Sequence, residues 1–437
     1  MNKRKVIIMG AAGRDFHNFN VHYRHNPNYD VVAFTATQIM GISGRKYPAV
    51  LSGRLYPRGI PIHDEANLKH LILRYNVDDV VLAYSDLAHE YVMQRAELVL
   101  SAGASFVLLG PSDTQIKSKK PVISICAVRT GVGKSQVTRY VGDILKKLGK
   151  KYVVIRHPMP YGILKNQVWQ RYETYEDLDK YNCTIEEREE YEPHIQRGEI
   201  VYAGVDYEEI LKRAEKEADV ILWDGGNNDF SFYQSNLLVT LVDPHRPGNE
   251  IQYYPGQANM MMAHAVLINK ENTAKPTNIQ LVKENIKKFN PRATVIDGAS
   301  IITVDNPKII KGKRVLVIED GPTLTHGGMS YGAGAIAAKR YGCRLVDPRP
   351  HAKGSLKSVF RNYKQLVNVL PAEGYSPTQL RELQQTINAT PADAVVIGTP
   401  IQLEKLIKIN KPVVRISYNF KELGNKLPRL IKQASDR

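Results

Sequence analysis

Apolar and polar residues alternate along the chain in a pattern that predicts short buried strands separated by amphipathic helices. Residues 122–128 are apolar except for Ser124, which is typical of a strand covered on both faces of a parallel sheet. Apolar side chains then recur at helical spacing, at Val137, Tyr140, Val141, Ile144 and Leu148. The turn between strand and helix, residues 129–135, reads RTGVGKS. This succession predicts a phosphate-binding loop (P-loop).

Each part of this turn has a separate role in binding a nucleotide. Glycines let backbone N–H groups surround a phosphate at the start of a helix. Lys134 can reach the β- and γ-phosphates, Ser135 can ligate Mg²⁺, and Arg129 adds a guanidinium that suits phosphate oxygens. We therefore predict Lys134 and Arg129 as catalytic residues. The predicted nucleotide contacts of the loop are Thr130, Gly131, Val132, Gly133, Lys134, Ser135 and Gln136.

A second apolar strand, residues 220–223, ends in Asp224 and two glycines. At this distance after a P-loop, the pattern predicts a Walker B strand. Asp224 is then a catalytic residue that holds Mg²⁺ opposite Ser135, directly or through water. The predicted metal ligands are accordingly Ser135 and Asp224.

The strand at residues 265–268 leads to Asn269, Lys270, Glu271 and Asn272. This run resembles the N-K-x-D motif with which GTPases read guanine, and we predict nucleotide contacts from Asn269, Lys270 and Asn272. Asn272 stands where the motif has Asp, and an amide pairs with guanine less well than a carboxylate does. The sequence therefore leaves the choice between ATP and GTP open.

Cationic residues follow two further strands of the predicted sheet. Arg156 and His157 come at the end of residues 152–156, and His245 and Arg246 follow residues 237–242. Ligands of open α/β sheets bind beyond the carboxyl ends of the strands. We predict that these four residues hold a small phosphorylated anion; for the first pair, the alternative is that prolines simply end the strand.

The first 115 residues repeat the alternation of strands and helices, which predicts a Rossmann-like parallel sheet. Arg14 and His17 lie in the loop after the first strand and are candidate substrate contacts, unless that loop only caps the helix that follows. The dinucleotide fingerprint is incomplete, because Phe16 stands at its last glycine. The predicted strands are residues 6–9, 31–34, 79–84 and 105–109, and the predicted helices are residues 65–75 and 88–102.

Residues 173–192 contain nine aspartates and glutamates. Carboxylates packed this densely repel one another unless they are exposed. We therefore predict a solvated helical insertion, with a metal or substrate lid as the alternative.

The last part of the chain begins with a strand at residues 314–318 and continues with the glycine-rich residues 319–328. Gly332 and Gly334 open the next helix, so backbone amides with Thr323, Thr325 and His326 nearby predict a second polyanion site; close helix packing is the alternative. His326 is a further candidate substrate contact. Residues 394–397, 403–409 and 412–416 predict a closing βαβ unit. The predicted domains are residues 1–115, 120–306 and 307–437.

Composition narrows the classes of function. The chain has 437 residues and a formal net charge of +16. No apolar run approaches the roughly 20 residues needed to cross a bilayer, so we expect a cytoplasmic protein without a membrane partner. The basic residues are spread along the chain without an RNA-binding signature, which disfavours nucleic acid and favours a small anion. The sequence leaves open whether the protein forms a homodimer.

The motifs also carry family resemblances. The P-loop resembles the deviant loop of the dethiobiotin-synthetase, MinD and metallochaperone class, typically K-G-G-V-G-K-[ST], with Arg129 at the signature lysine. GAAGRDFHNF, VRTGVGKS, RHPMPYG, ILWDGGNNDF, VDPHRPG, LINKEN and IEDGPTLTHGGMSYGAG occur in this order. Together they resemble a family of predicted GTPases known as cyclic 2,3-diphosphoglycerate synthetases.

This resemblance implies an NTP-dependent ligase. Such an enzyme phosphorylates 2,3-diphosphoglycerate and closes a ring with release of phosphate, using Mg²⁺ with ATP or GTP. The alternative is a nucleotide-switch GTPase of the metallochaperone type.

Overall fold

The computed structural model of the protein describes residues 3–37, 44–157, 162–226, 229–325, 327–374 and 376–436. The predicted mixed α/β architecture with parallel sheets is confirmed. Within these residues no helix is long and apolar enough to span a bilayer.

The N-terminal sheet has the strand order β3-β4-β2-β1-β5-β7. All neighbours are parallel except β3 and β4. Its strands, with the short β6 outside the sheet, are β1 Arg4–Met9, β2 Tyr29–Ala36, β3 Lys46–Tyr47, β4 Ile60–Asp64, β5 Asp79–Leu82, β6 Leu87–Ala88 and β7 Ser105–Val107. The associated α-helices are α1 Arg14–Asn18, α2 Ala49–Ser52, α3 Leu68–Tyr75, α4 His89–Ser101 and α5 Pro111–Thr114.

A second sheet is built from the rest of the chain, and its central part surrounds the predicted P-loop strand. The strands of this part are β8 Val122–Ala127, β9 Tyr152–Arg156, β10 Gln170–Tyr172, β11 Ile200–Ala203, β12 Val220–Gly225, β13 Leu237–Val242, β15 Ala265–Ile268 and β16 Thr294–Val304, while β14 Tyr253–Tyr254 pairs with β6 instead. The helices between them are α6 Lys134–Lys147, α7 Tyr175–Lys180, α8 Ile185–Ile195, α9 Tyr207–Glu217, α10 Gly256–Met262 and α11 Pro276–Phe289.

The C-terminal strands extend this second sheet. They are β17 Arg314–Asp320, β18 Arg344–Leu345, β19 Leu370–Ala372, β20 Ala394–Ile397 and β21 Val413–Glu422, with helices α12 Gly321–Leu324, α13 Ala333–Arg340, α14 Leu356–Asn362, α15 Pro377–Ala389, α16 Leu403–Leu406 and α17 Leu427–Ser435. In the described residues the order is β10-β11-β9-β12-β8-β13-β15-β16-β21-β20-β17-β18, and β19 pairs with β17. Strand β21 runs past its predicted end because it pairs antiparallel with β16.

The position of β8 sets the position of the P-loop. It lies between β12 and β13 and is parallel to both, so the loops after these three strands open at the same edge. The final helix α17 returns to this region, because its Leu427, Ile431 and Ala434 belong to the same buried core as β8. The end of the chain thus packs beside the P-loop strand.

Short turns of other helix types connect several of these elements. A π-helix at Phe19–Tyr23 continues α1, and 3₁₀ turns lie at Glu65–Asn67, Leu164–Asn166, Asn249–Ile251, Pro307–Ile309 and Arg349–His351.

Candidate functional site

The P-loop has the backbone that its glycines predict. Gly131 and Gly133 have φ angles of +80° and +102°, which L side chains rarely adopt. A Cβ at Gly133 would also lie 2.4 Å from the amide nitrogens of Asn269 and Gln136. Helix α6 begins at Lys134, so the loop delivers the lysine and the helix N-terminus to one place, as phosphate binding requires.

Asp224, at the end of β12, is the electrostatic centre of the site. Its side chain is fully buried, and its Oδ1 accepts hydrogen bonds from Lys134 Nζ at 2.9 Å and Thr138 Oγ1 at 2.6 Å. Its Oδ2 pairs with Arg156 Nη1 and lies 3.3 Å from His194 Nε2. Burial opposes ionisation, but the cations Arg156 and Lys134 hold the pKa of Asp224 well below its usual range.

The same cluster lowers the pKa of Lys134 to about 8, through burial first and the nearby Arg156 second. His194 is held from its other side, because His194 Nδ1 lies 2.7 Å from Glu199 Oε2. His194 therefore bridges two carboxylates. It comes from helix α8 and was missed by the sequence analysis, since a histidine inside an acidic run gave no signal of its own.

Three residues predicted to contact the nucleotide or the substrate donate hydrogen bonds to carbonyl oxygens of the P-loop. Asn269 Nδ2 donates to Val132 O at 2.9 Å and Lys270 Nζ donates to Gly131 O at 2.6 Å. Arg246 Nη2 donates to Thr130 O at 2.8 Å. The carbonyls of these three loop residues are thus bound by the protein, and the amide of Thr130 donates to Asp86 Oδ2 at 3.2 Å.

Asn272 behaves differently from its two neighbours in the motif. Its Oδ1 accepts from Ser300 N at 3.0 Å, and its Nδ2 donates to Ser300 O at 3.1 Å. The amide is thus committed to the backbone of β16, and Asn272 is not among the residues that line the cleft described below.

Arg129 joins the P-loop to the N-terminal part of the chain. Its Nε lies 2.5 Å from Asp86 Oδ1 and its Nη1 donates to Asn249 Oδ1 at 2.8 Å. The guanidinium also stacks 3.7 Å from the centre of the Tyr253 ring. Arg129 still lines the cleft, but its planar face and two of its nitrogens are engaged by the protein.

The structure brings some of the predicted substrate residues to the P-loop and places others elsewhere. Arg156 and His245 line the same cleft as the P-loop. Arg14 is buried against Phe230 and donates to Tyr254 Oη at 2.9 Å. These contacts join the N-terminal sheet to the central region, which explains why Arg14 does not reach the cleft.

His17 and His157 also lie outside the cleft lining. His17 Nε2 donates to Thr114 O at 2.6 Å, and its ring stacks on Phe232 at 4.0 Å. Burial lowers the pKa of His17 to about 3, so it is neutral and cannot supply a cation. His157 Nε2 lies 3.6 Å from Asp229 Oδ2. The candidate His326 lies outside the described residues.

One cleft connects the P-loop to the C-terminal strands. It encloses about 1440 Å³ of empty space, including the part open to solvent. One half is the nucleotide half, residues 129–136. The other half carries the acidic wall, which we define as Glu189, Glu190, Glu319 and Asp320.

The acidic wall includes part of the region predicted to be a solvated insertion. That prediction is wrong for helix α8, whereas Glu173, Glu176 and Asp179 before it are exposed as predicted. Helix α8 is buried against the C-terminal strands rather than exposed. Ile185 packs into the C-terminal core, Thr399 Oγ1 donates to Glu189 Oε1 at 2.6 Å, and Gln402 N donates to Glu192 Oε2 at 3.1 Å. The carboxylates of α8 that are less than a tenth exposed are those of Glu186, Glu187, Glu189 and Glu192.

Glu319 changes the interpretation of the glycine-rich loop that follows β17. Its carboxylate accepts hydrogen bonds from the backbone N–H groups of Gly332, Gly334 and Ala335 at 2.8–3.2 Å. The amides predicted to bind a second polyanion are therefore occupied by the protein's own carboxylate. Burial nevertheless raises the pKa of Glu319 to about 7.

The oxygen atoms of Ser135 and Asp224 beside the P-loop are of the kind that could hold Mg²⁺. Ser135 lines the cleft, and hydroxyl, carboxylate and phosphate oxygens are the ligands that Mg²⁺ prefers. Both oxygens of Asp224 already have protein partners. Asp224 would thus hold the ion through water, unless Lys134 or Arg156 moved away.

Comparisons with known proteins give one extensive match. No family model matches the chain. The chain is 57% identical over 433 residues to the arginine synthetase ArcE of Thermococcus kodakarensis, which covers 99% of this chain and 97% of that protein. The similarity therefore includes both halves of the cleft.

Among solved structures the likeness is weaker. An "apo" form of LpxK from Aquifex aeolicus in complex with ATP gives a TM-score of 0.44 at 14% identity, covering 84% of this chain and 99% of LpxK. The cell division protein MinD of Aquifex aeolicus gives a TM-score of 0.25 at 19% identity, covering 40% of this chain and 82% of MinD. Likenesses at this level carry no functional argument.

Proposed function

Because this chain belongs to the family of the arginine synthetase ArcE, we propose that it is an ATP-dependent synthetase that completes the guanidino group of arginine. The observation that carries this proposal is the composition of the cleft. A P-loop faces a wall of carboxylates across one space. Phosphoryl transfer and recognition of a cationic amino acid can therefore occur side by side.

The chemistry follows from the product. A guanidino group has nitrogen where a ureido group has oxygen, and ATP can make that oxygen a leaving group. Transfer of the γ-phosphoryl to the ureido oxygen gives ADP and a phosphorylated isourea. A nitrogen nucleophile then forms the new C–N bond while the C–O bond breaks and phosphate departs. This is the phosphorylation and displacement that the family resemblance predicted, on a different substrate.

The nucleotide half supplies the charges for the first step. Lys134 and the amides of the P-loop would hold the β- and γ-phosphates, and Arg156 and Arg139 line the adjoining surface. Asp224 keeps Lys134 and Arg156 in place. Mg²⁺, when bound beside Ser135, would neutralise charge on the transferring phosphoryl group. Preorganised cations of this kind act on the charge that develops in the transition state.

The acidic wall distinguishes this proposal from cyclic 2,3-diphosphoglycerate synthesis. A substrate with two phosphates and a carboxylate would add negative charge beside Glu189 and Glu319, whose ionisation burial already disfavours. An amino acid with an ammonium group and a neutral ureido group would instead find hydrogen-bond acceptors there. A cleft whose lining extends from the P-loop to the C-terminal strands also favours a synthetase over a nucleotide switch. Because Asn272 is paired with Ser300, we propose ATP rather than GTP as the nucleotide.

The test is a reconstitution with purified protein, ATP and Mg²⁺. The acceptor is citrulline, the ureido analogue of arginine, offered with ammonium or with an amino acid as nitrogen donor. We expect phosphate release that depends on both co-substrates. Mass spectrometry should find, per phosphate, one arginine when ammonium is the donor and one N-substituted arginine when an amino acid is the donor. A parallel reaction contains 2,3-diphosphoglycerate, with ring products sought by ³¹P NMR. Stimulation by 2,3-diphosphoglycerate alone, or hydrolysis that no acceptor changes, would overturn the proposal.

A further inference from the structure

Three segments that are distant from one another in the chain meet at the guanidinium group of Arg129, at the start of the P-loop. Arg129 Nε donates to Asp86 Oδ1, its Nη1 donates to Asn249 Oδ1, and its planar face lies over the Tyr253 ring. The side chains of Arg129 and Asp86 are only 10% and 9% exposed, so water screens the attraction between their charges little. Arg129 is therefore fixed by the protein on three sides.

Asp86 contacts the P-loop a second time. Its Oδ2 accepts from the backbone N–H of Thr130, so one carboxylate holds both the side chain of Arg129 and the amide of the next residue. Asp86 has a φ angle of +60°, which is uncommon for a residue with a Cβ. Such a conformation costs free energy that surrounding contacts have to offset. The hydrogen bonds from Arg129 and Thr130 are contacts of that kind.

These contacts reach the P-loop from the N-terminal sheet. Asp86 directly precedes β6, which pairs antiparallel with β14, the strand that carries Tyr253. The backbone N–H of His89 extends this pairing by donating to Gln252 O at 2.9 Å. The ionic partner and the stacking partner of Arg129 are thus joined to each other, and both hold the same end of the P-loop.

The conformation of the P-loop decides how well it binds phosphate. Its N–H groups have to converge on one point, and a molecule whose loop is misaligned contributes nothing to binding. The apparent affinity for a nucleotide therefore falls with the fraction of molecules that have a competent loop. A negative carboxylate does not attract phosphate itself, so any favourable effect of Asp86 on a nucleotide has to pass through the loop.

From these contacts we propose that Asp86 is a positioning residue for the nucleotide site, which holds the P-loop in its phosphate-binding conformation through Arg129 and the Thr130 amide. The N-terminal sheet then has a role in ATP binding, although the cleft lining in the described part of the chain includes no residue before Arg129. Arg129, which the sequence predicts to be catalytic, is the side chain through which Asp86 acts. The inference rests on the proposed function for the identity of the nucleotide.

The experiment compares two aspartates that pair with arginines between the N-terminal and central parts of the chain. Asp86→Asn removes the charge that faces Arg129, whereas asparagine tolerates a positive φ and can still accept from Thr130 N. Asp206→Asn is the matched control.

Asp206 resembles Asp86 in its contacts but not in its place. Its Oδ2 accepts from Arg24 Nη1 at 2.8 Å, its side chain is 10% exposed, and its Oδ1 caps helix α9. Asparagine caps a helix equally well. Neither Asp206 nor Arg24 lines the cleft, so the control breaks a similar ion pair away from the P-loop.

The first readout is ATP binding by calorimetry, in the presence of Mg²⁺ and together with thermal unfolding. We expect Asp86→Asn to weaken ATP binding about tenfold, since loss of one charge-assisted interaction lowers the competent fraction by about that factor. Electrostatics alone predicts the opposite sign, because removing a negative charge beside the P-loop would favour an anion. Asp206→Asn should lower the melting temperature by a similar amount and leave ATP affinity at the wild-type value.

Turnover gives the second readout. Asp86→Asn should raise the KM for ATP by the same factor, whereas the KM for citrulline and the kcat at saturating ATP should stay near those of the wild type. If Asp86→Asn does not fold, Tyr253→Leu removes the stacked ring without changing a charge. That variant should weaken ATP binding about threefold.

A double-mutant cycle tests whether Asp86 acts through Arg129. In a protein that already carries Arg129→Gln, Asp86→Asn should cause little further loss of ATP affinity, because the pair is already broken. Additive losses would contradict the proposed route.

The outcomes separate this inference from the proposed function. Unchanged or tighter ATP binding in Asp86→Asn, or equal losses of ATP affinity in Asp86→Asn and Asp206→Asn, would overturn the inference and leave arginine synthesis intact. A wild-type protein that binds ATP but makes no arginine would overturn only the proposed function. A wild-type protein that binds no ATP would overturn both.

Discussion

The two halves of the cleft bury carboxylates in opposite electrostatic settings. Asp224, which lies beside the nucleotide half, is surrounded by Lys134, Arg156 and His194, and its pKa lies well below the usual range. Glu319 in the acidic wall is equally inaccessible, yet its pKa is raised to about 7. Both carboxyl groups are buried, so the difference between their pKa values comes from the groups that surround each of them.

This contrast shows which charge each half can accept. Beside the nucleotide half, Asp224 positions Lys134 and Arg156, two cations that line the cleft. In the acidic wall, carboxyl groups lie near one another, so a cationic or hydrogen-donating ligand relieves their repulsion. Under the proposed function, one cleft would hold two substrates of opposite character at separate positions.

The largest expected effect comes from breaking the nucleotide half. Lys134→Ala removes the charge that would face the γ-phosphate, and we expect turnover to fall roughly 10²- to 10³-fold, as for loss of one transition-state donor. The melting temperature should change little, because Asp224 keeps Arg156 and His194 as partners.

The measurement for this variant is ATP-dependent phosphate release together with thermal unfolding. Lys147→Ala is the control, because Lys147 is an exposed lysine near the end of the same helix. Wild-type turnover in Lys134→Ala would separate the P-loop from the reaction.

A smaller effect tests the acidic wall through pH. The pKa of Glu319 rises from 4.5 to about 7 on folding, so the native state binds more protons than the unfolded state within that window. Its contribution to the unfolding free energy therefore falls as pH rises through this window and is constant above it. At about 1.4 kcal/mol per pKa unit, the total is on the order of a few kcal/mol.

Glu319→Gln removes this titration. The free energy of unfolding of the variant minus that of the wild type should therefore increase from about pH 5 to about pH 8. Denaturant unfolding at both pH values measures this difference. Glu284→Gln, on the exposed surface of α11, makes the same chemical change away from the wall. A stability difference between Glu319→Gln and the wild type that did not vary with pH would show that Glu319 is ionised throughout.

The smallest expected effect concerns Asn272, which lies outside the cleft lining. Asn272→Asp loses the hydrogen bond to Ser300 O but keeps the one from Ser300 N, so we expect a stability loss below about 1 kcal/mol. The ratio of ATP to GTP affinity should not change, as competition binding would show. A rise in GTP preference would place the base beside Asn272, as the motif resemblance implied.

Much of the nucleotide half follows from local pattern. Residues 122–135 encode a buried strand, a glycine turn and a helix start within one short stretch, and the structure has each of them. The strand that delivers Asp224 is equally local. Such elements can be predicted because the forces that form them act between neighbours in sequence.

The acidic wall, in contrast, could be recognised only from the tertiary structure. Glu189 meets Thr399, 210 positions further along the chain, and no spacing in the sequence indicates that contact. An acidic run favours exposure when its partners are unknown, but packing of α8 against the C-terminal strands supplied those partners. His17 and Asn272 were likewise predicted to contact a ligand, but tertiary packing gives both side chains partners within the protein. Local sequence determined the elements and the P-loop, whereas the fate of each buried charge depended on distant segments that only folding brings together.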